Sequence, residues 1–579
     1  MIKRLSLLLF VFSSLITCAG SVLAVVEVTI SGINQELEKN VRLFLSIEQQ
    51  KDHTLVGEGR LRRLHRKADD EINRALQPFG YYRPAIVSRL EKSGADAWQA
   101  NYAIDPGPPL PIAAFDFTIS EEMGRDEAFQ QLLKSMPLQI GQVFNHLEYD
   151  EFKESLVRLA SERGYFDAKF SNHRVEINLD LYQAGIDLSY EGGARYRYGE
   201  VEMKQDVLDD NLLRRYVPFE QGDHYRLTDL IELQHALNDS DYFNRVEVSP
   251  GTVDVASNEV PISLKLTPNK PNRYSLGLGY GTDTGARTQF SWQKPRVNRR
   301  GHRFDVATSF SELGYSLITN YRVPVLNPRT DQIIYSAGEV NEKTDTFDST
   351  LKTLGASLKR SRGDWRESIS LNYQHEDFTV ADDKATSILL IPAIQYTRTW
   401  GRQFIYAVDG LRFDIGLRGA SEDLFSDADF LQLQGSLKAI TSINRSNRVI
   451  ARGRLGTTST GVFSKLPSSV RFFAGGGQSV RGFAYESLGP ADSDGLVEGG
   501  KHLMEGSLEF EHSFSERWGF ALFFDVGNAI NDFSEELERG AGFGFRWKSP
   551  VGPVRIDIAQ ALTLDTKPWR LHLNIGPDL

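Results

Sequence analysis

The sequence predicts two unlike halves, α+β followed by all-β membrane: a run of small α+β domains, then a transmembrane antiparallel β-barrel. Three observations carry this. The order strand, helix, helix, strand, strand occurs three times between residues 25 and 267. Beyond residue 268 helical spacing disappears, and short segments alternate apolar with polar residues. The amino terminus carries an export segment.

In that segment Lys3 and Arg4 form a basic start, residues 5–16 an apolar core, and Val22-Leu23-Ala24 a secretory cleavage pattern. Residues 1–24 are thus expected to be a signal peptide and Val25 the first mature residue. Leu15-Ile16-Thr17-Cys18 only faintly matches a lipoprotein box, because threonine stands where a smaller residue is usual. Cys18 is the sole cysteine, so the mature part has neither a disulfide framework nor a cysteine metal site. With 66 basic against 77 acidic residues the net charge is -11, which argues against a general nucleic-acid binder. A mean hydropathy of -0.34 and the lack of an internal apolar run of membrane-helix length exclude a polytopic helical protein. They leave a barrel open, since its signal is alternation.

The first domain, 25–107, opens with an alternating strand through Val26, Val28 and Ile30, followed by helices at 35–46 and 57–77. In the second helix Leu61, Leu64, Ala68, Ile72 and Leu76 recur at helical spacing and form its buried stripe. Strands follow at 86–90 and 98–104, and Asp105-Pro106-Gly107-Pro108-Pro109 is a stiff linker. The second domain, 108–188, repeats the order with a strand at 112–119, helices at 126–134 and 149–163, and strands at 175–181 and 185–190. The third, 189–267, has a strand from 198, helices at 209–216 and 228–240, and strands at 246–249 and 261–266. The helix exits match: Gly80-Tyr81-Tyr82, Gly164-Tyr165-Phe166 and Asp241-Tyr242-Phe243 each end in an aromatic pair, read as core packing. Arg60, Arg62, Arg63, His65, Arg66 and Lys67 share one helix. Without a comparably basic domain and stacking aromatics around them, they read as a solvated face and not as a nucleic-acid site.

In the barrel half, 268–579, Phe543, Phe545 and Trp547 alternate with Gly542, Gly544 and Arg546, and Val554, Ile556 and Ile558 with Arg555, Asp557 and Ala559. An apolar outside and polar inside suit lipid around a wet lumen. Roughly 300 residues, at about ten per tilted strand plus turns, give about 14 to 18 strands. The stretch Gly475-Gly476-Gly477-Gln478-Ser479-Val480-Arg481-Gly482-Phe483 is a glycine-rich loop with one arginine. Nearby, Glu509 lies between Leu508 and Phe510, and Asp525 between Phe524 and Val526, on the polar sides of successive strands. If those sides line a closed barrel, the Arg481 guanidinium finds two carboxylates suited to its planar fork. The same residues also allow a plain glycine turn and a generally charged, wet wall. A phosphate loop lacks its Lys-Ser/Thr ending. His375-Glu376 lacks a second histidine and reads as an interior or rim pair. No nucleophile elbow or zinc pair appears, so neither an enzyme such as a barrel lipase nor a cofactor or metal is expected.

The last strand alternates through Leu571, Leu573 and Ile575 and ends in Gly576-Pro577-Asp578-Leu579. Pro577 cannot donate to a ladder and Gly576 permits a bend, so pairing with the first strand at Leu276, Leu278 and Tyr280 should be short. That predicts a weak lateral seam.

Val480-Arg481-Gly482-Phe483, followed by Leu508-Glu509-Phe510 and Phe524-Asp525-Val526-Gly527, resembles the signature of the Omp85 outer-membrane barrels, and the small domains resemble the POTRA domains that precede them. The resemblance implies sixteen strands and a loop folded back into the lumen, with Arg481 as key and Glu509 and Asp525 as partners. It implies residence in the outer-membrane lipid of a Gram-negative bacterium, POTRA domains in the periplasm, and insertion of unfolded outer-membrane protein clients at the seam. A polypeptide export pore of two-partner-secretion type is the alternative. Three domains and the Gly-Pro-Asp-Leu ending are most like the translocation and assembly module branch. That branch implies an inner-membrane-anchored TamB-like partner and clients that include autotransporters.

Overall fold

The computed structural model describes residues 25–51, 58–94, 97–401, 406–549 and 552–575. The expected signal segment with Cys18 and the ending from Gly576 to Leu579 lie outside the described residues. Three small three-stranded sheets precede one sheet of sixteen strands.

In the first sheet the strand Ala97–Asp105 runs between Val25–Ser31, to which it is parallel, and Ala85–Lys92, to which it is antiparallel. The helix Glu58–Leu76 lays its predicted stripe on this sheet: Leu61, Leu64, Ala68, Ile72 and Leu76 are all buried, with Val28, Ile30 and Tyr102 opposite. Helix Gln35–Phe44 starts where Asn34 Oδ1 accepts from Leu37 N at 2.9 Å. Buried Glu71 holds the next turn through Ser46 N (2.8 Å) and Ser46 Oγ (2.5 Å). The basic residues Arg60, Arg62, Arg63, Arg66 and Lys67 face solvent and His65 is half-buried.

The second sheet repeats the topology with Ile112–Ile119, Gln183–Glu191 and Lys169–Asn178. Its hairpin strand begins at Lys169, ahead of the expected 175, because Phe170 packs on the core and pairs with Tyr190. The third has Arg197–Lys204, Glu259–Pro268 and Phe243–Pro250 in that order.

The aromatic pairs at the helix exits do more than fill cores. Tyr165 and Tyr242 are buried, but Tyr82 Oη lies 2.6 Å from His146 Nε2 in the following domain, and Phe166 packs edge-on against Tyr196 and Tyr225. The backbone repeats this joint. Gly80 O accepts from Leu110 N (2.8 Å), Gly164 O from Tyr196 N (2.9 Å) and Tyr242 O from Asn269 N (2.9 Å). Core packing therefore accounts for Tyr165, Tyr242 and Phe243, and the joint to the next segment for Tyr82 and Phe166.

The sixteen barrel strands follow in sequence order from Arg273–Gly281 to Trp569–Ile575, each antiparallel to the next. Leu278, Leu354, Leu431, Leu508, Leu522 and Phe545 are exposed on the outer face, while Glu376, Gln432, Arg448, Glu509, Asp525 and Arg546 are buried on the inner one. Such an inversion is stable only with lipid outside. Strands Phe347–Arg362, Trp365–Val380 and Asp383–Gly401 have 16, 16 and 19 residues, more than the roughly 9–11 a bilayer requires, so this part of the wall rises beyond it.

Candidate functional site

Residues 461–501 connect strand Asn447–Thr460 to strand His502–Ser513 and fold back against the inner wall. At the tip, Arg481 is 2% exposed and every N–H of its guanidinium finds an acceptor. Nε donates to Asp525 Oδ2 at 2.7 Å and Nη2 to Asp525 Oδ1 at 2.9 Å, a bidentate fork. Nη1 donates to Glu509 Oε2 (2.7 Å) and Asp557 Oδ2 (3.0 Å), and Nη2 also to Ser507 Oγ (3.3 Å). The backbone N–H of Arg481 adds a bond to Asp525 Oδ2 at 3.1 Å. The guanidinium lies 3.4 Å above the centre of the Phe523 ring, which covers its face. Burial opposes the charge, but Asp525, Glu509 and Asp557 outweigh it and hold the Arg481 pKa above its ordinary value.

The flanking residues fix this insertion. Val480 and Phe483 are buried against Ala561. Gly482 has φ +101°, and a Cβ there would stand 2.8 Å from Ala561 N, so the loop backbone lies directly on the wall. On strand Glu538–Ser549 the inward positions Gly540 and Gly544 are bare: a methyl at Gly540 would collide with the Arg481 carbonyl, and one at Gly544 with the Asp557 carboxylate. Further along the same face, Arg546 donates to Glu509 Oε1 (2.6 Å), Glu511 Oε1 (2.9 Å) and Asp557 Oδ1 (2.5 Å). Arg448 closes the row on Glu511 Oε2 at 2.5 Å.

A second anchor holds the first limb of the loop. Buried Glu376 accepts from Ser349 Oγ (3.0 Å), Ser468 Oγ (2.5 Å), Ser469 N (3.2 Å) and Ser469 Oγ. Arg418 Nη2 donates to Ser469 O at 3.0 Å, and Gln432 Nε2 to Val470 O at 2.7 Å. Glu376 is thus interior, but it is not paired with His375, which lies on the other face and approaches Asp377 at 3.7 Å.

At the seam the expected short ladder does not form among the described residues. Among the described residues the sheet ends at Arg273–Gly281 on one side and Trp569–Ile575 on the other, with no backbone pairing between them. Leu276, Leu278, Tyr280, Leu571 and Ile575 are exposed and Leu573 is half-buried. Leu573 N donates instead to the Thr282 hydroxyl, at 3.1 Å. The turn after the first strand captures this N–H, and the last strand has already given its other edge to Gly552–Ala561. Gly576, expected to bend the strand, lies outside the described residues.

Comparison with known proteins agrees with this geometry. Residues 270–577 match the family described as Omp85 superfamily domain. The chain belongs to the Omp85 superfamily. Ahead of the Omp85 barrel, residues 27–106 match the POTRA domain TamA domain 1, and residues 119–191 and 196–269 match the POTRA family described as surface antigen variable number repeat. Outer membrane protein assembly factor BamA of Nitratidesulfovibrio vulgaris is 22% identical over 567 residues, spanning 93% of this chain and 70% of the relative. BamA of Neorickettsia risticii is also 22% identical, over 84% of this chain and 68% of its own length. The crystal structure of BamA from Haemophilus ducreyi lacking POTRA domains 1–3 superposes with a TM-score of 0.68 at 17% identity, covering 81% of this chain and 99% of that one. This Omp85 protein is an outer-membrane barrel with periplasmic POTRA domains, and it works in outer-membrane protein assembly or transport.

The structure brings together the loop residues Val480 to Phe483 with Glu509 and Asp525. Asp557, Arg546, Ser507 and Phe523 join them, although no sequence motif singles them out, while Glu376, expected as half of a pair with His375, holds the other limb of the loop. The signal that could find Asp557 and Arg546 is their place on the polar sides of alternating strands. Among the described residues no group of three or more His, Cys, Asp and Glu side chains is arranged to hold a metal. The luminal carboxylates of the lock are taken up by arginines.

Proposed function

We propose that this Omp85 protein inserts or translocates outer-membrane proteins, autotransporters among them, by opening the wall between its first and last strands and pairing client strands with the exposed edges. The observation that carries this is the missing ladder between Arg273–Gly281 and Trp569–Ile575. An unpaired strand edge in hydrocarbon is costly, so a client strand that enters there gains its partner at the moment it leaves water. The Arg481 cluster stiffens the neighbouring wall, strands His502–Ser513 to Gly552–Ala561, so that opening stays confined to the seam. The match of residues 27–106 to the TamA type of POTRA domain supports a TamA-like role. That role carries with it a TamB-like partner anchored in the inner membrane and contacting the POTRA domains.

The test is a disulfide across the seam, from cysteines at Tyr280 and Leu573, beside the contact between Thr282 and Leu573, in a background whose mature part has no other thiol. Client insertion should stop on oxidation and return on reduction. Insertion that continues with the seam closed, with clients crosslinking to lumen-facing positions, would support an export pore instead.

A further inference from the structure

The glycine-rich loop touches both sides of the seam. Asp283 sits in the turn between the first two barrel strands, Arg273–Gly281 and Gly285–Lys294, and its Oδ2 accepts from Gly477 N at 2.7 Å. His572 is on the last strand, 2% exposed and facing inward, and its Nε2 accepts from Gly482 N at 3.0 Å. That bond places the imidazole proton on Nδ1, which faces Asp283 Oδ1 at 3.6 Å, an electrostatic contact longer than a hydrogen bond. The loop comes this close because it is bare at this point: a Cβ on Gly477 would stand 3.1 Å from Asp283 Oδ2 and 3.4 Å from His572 Nδ1. The first hairpin and the last strand, unpaired with each other, are therefore joined through residues 477–482 of the loop.

We propose that Asp283 and His572 are positioning residues that clasp the seam through the backbone of the luminal loop, so that releasing the loop tip from either one lets the wall part. This rests on the seam reading for its purpose, but not for its geometry. Arg481, six residues or fewer from each contact, fixes the loop on the stationary wall and gives the clasp its anchor. The Leu573 N to Thr282 bond is the direct link that remains when the clasp is undone.

The test uses the full chain in bilayers, with spin labels on cysteines at Leu276 and Leu571 and dipolar distance measurement across the seam. Asp283→Ala and His572→Ala should each raise the separated population about tenfold, the effect expected of losing one charge-assisted or buried hydrogen bond. His572→Gln, whose amide oxygen can accept from Gly482 N, should restore the closed distribution. The double variant should be no more open than either single one, because one broken side already frees the seam. Lys465→Ala, which removes an exposed ion pair with Glu422, should leave the distribution unchanged. Unchanged distances in Asp283→Ala and in a folded His572 variant, or additive opening in the double variant, would overturn the clasp. If the seam opens as expected while client insertion is indifferent to a closed seam, the clasp stands and the insertion route falls. If the disulfide blocks insertion but neither clasp variant moves the labels, the reverse holds.

Discussion

Arg481 shows how a charge can be buried inside a membrane barrel without instability: each of its donors has an acceptor, and its open face lies on Phe523. Removing it leaves Asp525, Glu509 and Asp557 crowded and short of counter-charge, so Arg481→Ala should cost about 3–5 kcal/mol of barrel stability. Urea unfolding of the reconstituted barrel measures this. Arg481→Lys should recover little of the loss, since an ammonium cannot reproduce the fork on Asp525. Gly482→Ala should cost about 1–3 kcal/mol, because it forces a side chain into a left-handed conformation against the wall. Heat-modified mobility should then reveal a barrel that opens at lower temperature. At this scale the sequence is partly legible. Period-2 alternation puts Glu509 and Asp525 on the wet side, and it does the same for Asp557 and Arg546. It does not say at what height on the wall each one sits, since strand tilt and stagger are set by the closed sheet. Asp557 is therefore indistinguishable beforehand from any other inward carboxylate.

Among the elements, the luminal loop has a third contact that should respond to pH. Glu486 is half-buried, and burial followed by the charge of Glu342 pushes its pKa up to about 7, against the smaller opposing effects of Tyr485 and Arg454. The folded value lies above the ordinary 4.5, so the folded loop holds the proton between the two, and stability falls as pH rises through that window. Backbone amides of residues 484–488 should thus be better protected near pH 5 than near pH 8, after correction for intrinsic exchange. Glu486→Gln should remove the difference. The helices show why some elements are easy to read and others are not. The stripe Leu61, Leu64, Ala68, Ile72 and Leu76 is a local pattern and survives folding unchanged. The joint made by Tyr82 with His146 joins residues 64 positions apart and leaves no periodic trace in the sequence.

Over the whole molecule, the absence of a ladder between the described ends of the seam is legible only as a weakness. Pro577 and Gly576 pointed to a short pairing, whereas the described strands make none and leave the closure to the Thr282 hydroxyl and the loop. The third domain offers a separate test: Tyr242 Oη donates to Gly301 O at 2.5 Å and Arg303 lies over its ring at 4.6 Å. Tyr242→Ala should therefore speed proteolysis at the 295–301 turn while leaving the heat-modified mobility of the barrel unchanged. The order of residues along the chain has one more consequence. All the carboxylates that Arg481 grips, Glu509, Asp525 and Asp557, come after it, as does His572. During its own biogenesis this polypeptide carries a cation whose set of acceptors stays incomplete until the final hairpin brings Asp557. Seating of the tip then certifies a finished cylinder, and a chain cut short before Asp557 forfeits that certificate.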